Sequence, residues 1–187
     1  MARTGTDRAL RVGMSQRFTD LLVADHQRLH RLLAAAHAGE DLDHAAFAAF
    51  RAGLLRHIAI EEKVLFPAVR RARGGTPLAR ARDLRIEHAA LTSLVVPTPD
   101  ARLSAELEAL LASHDAKEEG ADGVYAECEA ALTPADSRAL VAVAEALPPV
   151  RVAPHFDGPG VYRTAALALA AAQRPRRRAP GAPSRRP

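Results

Sequence analysis

His57-Ile58-Ala59-Ile60-Glu61-Glu62-Lys63-Val64-Leu65-Phe66-Pro67 is the stretch on which the fold of this chain turns. At ~100° per residue, helical positions three and four apart share one face. Phe47, Phe50, Leu54, Ile58, Leu65 and Val69 set the buried direction of a helix expected over 43–73. Glu61 falls near the middle of that face, with His57 one turn before it, while Glu62 is expected to point well away. A carboxylate inside an apolar stripe costs several kcal/mol unless it is paired, protonated or bound to a cation.

Outward from this stretch, breakers divide the chain. His37-Ala38-Gly39-Glu40-Asp41 ends one helical pattern, and Asp43 can cap the next. Gly74-Gly75-Thr76-Pro77 and Pro97-Thr98-Pro99-Asp100 make the following two breaks, with Thr76-Pro77 expected as N-cap and first turn. Helices are therefore expected near 15–37, 43–73, 77–96 and 101–131. Thr133-Pro134 opens a further short helix, and an alanine-leucine run ending near Gln173 suggests an appended one. Gly120-Ala121-Asp122-Gly123 interrupts the fourth helix, where a kink or bulge is expected. Short connections suit antiparallel neighbours, so the fold class is all-α, an up-down-up-down four-helix bundle with a short C-terminal helical extension. The domain reading is a flexible segment 1–14, the bundle 15–132, the extension 133–173 and a disordered Arg/Pro-rich tail 174–187.

The other three helices repeat the anomaly of the second. His26 sits at the edge of the face made by Phe18, Leu22, Leu29 and Leu33. His88 lies within the face of Leu84, Leu91 and Val95. His114 and Glu118 share the face of Leu103, Leu107 and Leu110, with Glu119 expected outward. A lone core histidine is usually a packed one, and one His-x-x-x-Glu pair is a common surface spacing. Two such pairs, His57/Glu61 and His114/Glu118, with an inward histidine on each remaining helix, are much harder to explain as packing. Imidazole with carboxylate suits iron, zinc or manganese. Six donors exceed what one tetrahedral zinc needs, but fit two metals bridged by the carboxylates. His30 is an alternate or supporting group; His37, His44 and His155 have ordinary explanations, Cys128 is a packed thiol, and Tyr125 either lines the site or packs.

Composition narrows the rest. Cys128 is the only cysteine, which excludes an intramolecular disulfide and a cysteine-based zinc or iron–sulfur site. The first residues hold no apolar run of signal-peptide length, and no stretch reaches a membrane span, so the expected location is the cytoplasm. The formal charge of +4 hides an asymmetry, with arginines crowding both ends. Basic ends are able to touch nucleic acid or an anionic membrane, but a solubilising tail is the expectation, with neither as partner. The ferritin-like alternative needs Glu-x-x-His, which does not occur.

The His57–Pro67 stretch resembles the second-helix signature of the hemerythrin-like, HHE cation-binding family. Asp25-His26 is similar to its first-helix motif, Glu87-His88 to its third, and His114-Asp115-Ala116-Lys117-Glu118-Glu119-Gly120 to its fourth. The resemblance implies a non-haem di-iron centre, with His26, His57, His88 and His114 as terminal ligands and Glu61 and Glu118 as bridges. Thr92 stands where oxygen-carrying members have a further histidine, which implies an open position and speaks against simple oxygen storage. The chain also lacks the N-terminal cysteine motif of the family's iron–sulfur repair branch. The implied function is binding or sensing of a small diatomic or oxidant (dioxygen, nitric oxide, peroxide), or of iron or redox state. The alternatives are a di-iron enzyme acting on peroxide or a small substrate, for which no separate nucleophile or base is visible, and a purely structural metal. Oligomeric state is not legible.

Overall fold

A computed structural model describes residues 17–174. These are helical throughout their regular parts: α1 Phe18–Ala36, α2 His44–Ile60, a π-helical turn Glu61–Leu65, α3 Phe66–Ala72, α4 Ala81–Leu94, α5 Ala101–Glu119, α6 Val124–Ala131, α7 Pro134–Ala146 and α8 Ala165–Gln173. The all-α expectation holds, and among the described residues no helix is long and apolar enough to cross a membrane. The readings of 1–14 as flexible and 174–187 as a disordered tail lie, Arg174 apart, outside the described residues.

The helix ends follow local chemistry. Asp43 accepts hydrogen bonds from the Ala45 and Ala46 amides, and Asp100 from that of Leu103, which satisfies amides that have no partner within the helix. Thr133 and Asp136 cap α7 reciprocally. After α3, Gly74 and Gly75 take φ of 64° and 95°, and the Gly75 amide reaches back to the Arg70 carbonyl, closing the helix in a left-handed turn.

Two departures from the sequence reading have physical causes. The third helix begins at Ala81, not at Pro77. Leu78 is instead buried in the second apolar cluster, and the Ala79 amide donates to Glu127, which holds 76–80 out of helical register. The second helix runs on past Ile60 only by widening into the π-turn, in which the Phe66 amide bonds the Glu61 carbonyl. Pro67 has no N–H and its ring crowds the carbonyl four residues back, so the ladder opens there without ending.

The interior is split into two apolar clusters. One contains Leu29, Phe50, Leu54, Leu91 and Leu111, and the other Leu22, Val64, Leu65, Leu84 and Val124. α1 and α4 pass from the second cluster to the first; α2 with its π-turn, and α5 with α6, pass from the first to the second. Between the clusters each path crosses one polar level, at His26, at His57 and Glu61, at His88, and at His114 and Glu118. α8 closes the first cluster through Ala168, and α7 closes the second through Leu140 and Ala144.

Candidate metal centre

All six side chains singled out in the sequence are buried in this polar level, with Glu61 and Glu118 fully shielded from solvent. Each histidine is oriented by a carboxylate on its Nδ1. His26 faces Glu119 (2.5 Å), His57 faces Asp25 (3.2 Å), His88 faces Glu62 (2.9 Å) and His114 faces Glu87 (2.9 Å). A carboxylate can only accept, so each Nδ1 carries a proton and each ring turns its Nε2 inward.

The inward atoms then meet in pairs. Nε2 of His26 lies 2.8 Å from Nε2 of His57, and Nε2 of His88 lies 3.2 Å from Nε2 of His114. Two lone pairs at such distances repel unless a proton or a cation stands with them. Glu118 reaches both pairs, with Oε2 3.3 Å from His26 and Oε1 3.3 Å from His114. Glu61 does the same through Oε2, 3.1 Å from His88 and 3.5 Å from His57. Glu61 Oε2 and Glu118 Oε1 are buried without any hydrogen-bond donor. Buried carboxylate oxygens rarely go unpartnered, and here both point at imidazole nitrogens. Three sets of donor atoms lie within 4.8 Å of one another: Glu61, His88, His114 and Glu118; His26, His57 and Glu118; and, at the edge of the level, His26, Asp115 and Glu119. The residues present therefore fit a metal centre.

Burial and charge compete at this level. Burial pushes the Glu61 carboxyl up, but the surrounding His57, His88 and His114 win and hold it well below the usual range. Burial and the Glu61 charge together push Glu118 up, only partly offset by His26. Burial lowers the two histidines as well, yet Glu118, Asp115 and Glu119 raise His26 to about 9, and Glu61 and Glu62 raise His88 to about 10. The level thus favours positive charge at His26 and His88.

Several participants escaped the sequence reading. Glu62 and Glu119, expected to point away, instead hold His88 and His26. Both lie next in sequence to an inward glutamate, ~100° round the helix, and a glutamate is long enough to reach back to the neighbouring helix. Asp25 and Glu87 each precede a buried histidine but hold the histidine of an adjacent helix. Arg28 Nε donates to Asp25, and Lys117 pairs with Glu87, so both carboxylates are fixed from outside. Tyr125 lines the site: its hydroxyl donates to Glu61 Oε1 (2.7 Å) and lies 3.1 Å from Glu118 Oε2. The break in the helix brings it there. At Gly123 a Cβ would lie 2.4 Å from the Glu118 carbonyl oxygen, so only glycine permits this turn, from which α6 carries Tyr125 back over the centre.

The remaining candidates stand apart. His30 Nε2 pairs with Asp115 (2.6 Å), whose other oxygen is 3.8 Å from His26. His44 and His155 are exposed, His37 is half-buried away from the level, and Thr92 is exposed. Cys128 packs in the second cluster, where burial pushes its thiol up.

Comparison with curated proteins and with solved structures gives no match. The family model described as the hemerythrin HHE cation binding domain matches residues 17–134, a span that contains all six inward donors and the carboxylates that orient them. The chain belongs to the hemerythrin HHE cation-binding family.

Proposed function

We infer that this chain is a hemerythrin-like non-haem di-iron protein that binds or senses a small diatomic molecule or oxidant. The observation that carries it is the meeting of four imidazole Nε2 atoms and two donor-free carboxylate oxygens in one buried level. The alternating passage of successive helices between the two apolar clusters supports the up-down-up-down four-helix arrangement that such a centre requires. The residues that would hold the metal are His26, His57, His88 and His114, together with Glu61 and Glu118, each of which faces both histidine pairs. Bound there, the iron pair supplies redox chemistry and a coordination position for the incoming molecule.

The chain's own residues do the rest. Asp25, Glu62, Glu87 and Glu119 hold the four rings in one tautomer. A cation held by Nε2 of His26 and His88 would displace protons, so loading would be accompanied by proton release and would weaken as pH falls. Tyr125 keeps a proton on its hydroxyl, because burial and the charges of Glu61 and Glu118 push it well above the usual phenol value. That proton faces the Glu61 carboxylate and is the donor nearest any molecule entering beside it. Thr92, one turn after His88, supplies no further imidazole to the level.

Metal analysis of the purified, iron-loaded full chain, with visible absorption recorded before and after dioxygen or nitric oxide, tests this. About two irons per chain and a spectrum that responds to the added gas are expected. No transition metal after careful loading rejects the metal centre. Tightly bound metal with no response to either gas reduces it to a structural staple.

A further inference from the structure

A second region lies beside the polar level and shares Glu62 with the groups that orient its histidines. The segment from α3 to the start of α4 encloses a groove of about 1030 Å³. That is the size of a small-molecule site. Its floor is apolar, made by the buried Phe66 and Leu78 with Pro67 beside them. Its rim carries four arginines, Arg70, Arg71, Arg82 and Arg85, against a single carboxylate, Glu62. Arg70 is tied to the Gly75 carbonyl, and Arg85 lies 3.4 Å from Glu62, which is itself committed to His88. Arg71 and Arg82 are exposed and, among the described residues, form no ion pair.

Like charges gathered round an apolar floor repel one another and raise the local concentration of anions. The planar guanidinium fork matches a carboxylate or phosphate in particular. The chain's own ends do not suit the groove, since residues 1–16 hold Arg3, Arg8 and Arg11 against Asp7 alone, and residues 175–187 hold arginines and no acid. An extended polyanion would engage the rim and leave the floor uncovered. We propose that this groove binds a small organic anion with an apolar body, its acid group held by Arg71 and Arg82 and its body lying on Phe66, Pro67 and Leu78.

The proposal does not depend on the metal reading, because none of these arginines reaches the inner donors. The groove is nevertheless close to them. The Phe66 ring lies nearly parallel to the His88 imidazole at 6.2 Å, and Glu62 links the Arg85 side chain to the same imidazole.

Calorimetric titration of the full chain with decanoate, decyl phosphate and decanol tests it. Saturable binding of one or both anions is expected, with decanol at least about tenfold weaker. The double variant Arg71→Ser/Arg82→Ser should weaken anion binding by about tenfold or more at an unchanged melting temperature and metal content. Preference between the two anions tells whether the head group is a carboxylate or a phosphate. Equal affinity in the double variant, or decanol bound as well as decanoate, overturns the proposal. It is also overturned if hexaglutamate or a short oligonucleotide binds the arginines and neither decyl anion displaces it.

Discussion

Leu54 and Glu61 sit two turns apart along the same helical path, and both are shut off from solvent, at 1% and 0% exposure. Leu54 touches other aliphatic and aromatic side chains of the first cluster, and any apolar group of similar volume would serve there. Glu61 faces two imidazoles and a phenol, with one oxygen left without a donor. The clusters lower the free energy of the fold through burial, which is largely indifferent to detail. The level between them carries a desolvation cost and repulsion between its two carboxylates, which a bound cation would offset. Stability and function are thus held in separate layers of one interior.

The largest effect that would separate the layers lies in the apolar half. Phe50→Ala removes a ring that is fully buried in the first cluster. It should destabilise the protein by about 3–5 kcal/mol, from lost transfer energy plus the cavity left behind. Thermal or denaturant unfolding reads that loss, while metal content of the folded variant should match that of the parent. Loss of metal at an unchanged melting temperature would mean that the clusters and the polar level are not separable.

A smaller but more diagnostic change is Glu118→Leu. It removes the carboxylate that reaches both histidine pairs and replaces it with an apolar group of similar volume. Metal binding should weaken by more than ~100-fold, beyond the range seen for outer supporting groups. The metal-free variant should melt near the temperature of the metal-free parent, because Glu118 is repelled by Glu61 as well as paired with His26, and its loss removes both interactions. Metal analysis and paired melts after chelation check both halves. A metal-free variant clearly less stable than its parent would show that hydrogen bonding, not metal binding, is the level's purpose.

The separation also decides what could be read from sequence. The six inward donors were legible because a polar residue on an apolar stripe is an anomaly that periodicity exposes; His57 with Glu61 and His114 with Glu118 are examples. The carboxylates that orient the rings were not. Glu62 and Glu119 lie on flanks where acids are ordinary, and their role depends on which helix stands beside them, a tertiary fact. Tyr125 was legible only as an alternative, since its position depends on the turn at Gly123 rather than on helical period. The π-turn at Glu61–Leu65 had a signal in Pro67, but one that reads equally as a kink. Thr76-Pro77 shows the opposite failure, a good local start signal overridden by the burial of Leu78.

The mildest effect concerns how the first cluster is closed at its outer side. α8 is held against it by packing of Ala168 and by a polar clasp, in which Asp157 accepts hydrogen bonds from the Thr98 amide and hydroxyl and pairs with Arg163. These hydrogen bonds from Thr98, with Arg163 beside them, hold the Asp157 carboxyl below its ordinary value of 3.8. A carboxyl lowered on folding contributes stability that is complete above its unfolded value and is lost as pH falls through the lower, folded one. The clasp should therefore be intact at neutral pH and open only under acid conditions. Asp157→Asn should reproduce the acid state at neutral pH. Amide exchange in α8 should quicken several-fold in the variant, while exchange in α1 and α5 and the metal content stay as in the parent. Because the clasp lies wholly outside the polar level, a change in metal content in this variant would reveal a coupling that the layered interior does not predict. Unaltered exchange in α8 would instead mean that the packing of Ala165, Ala168 and Leu169, with the Ala165 amide bonded to Glu106, keeps that helix in place.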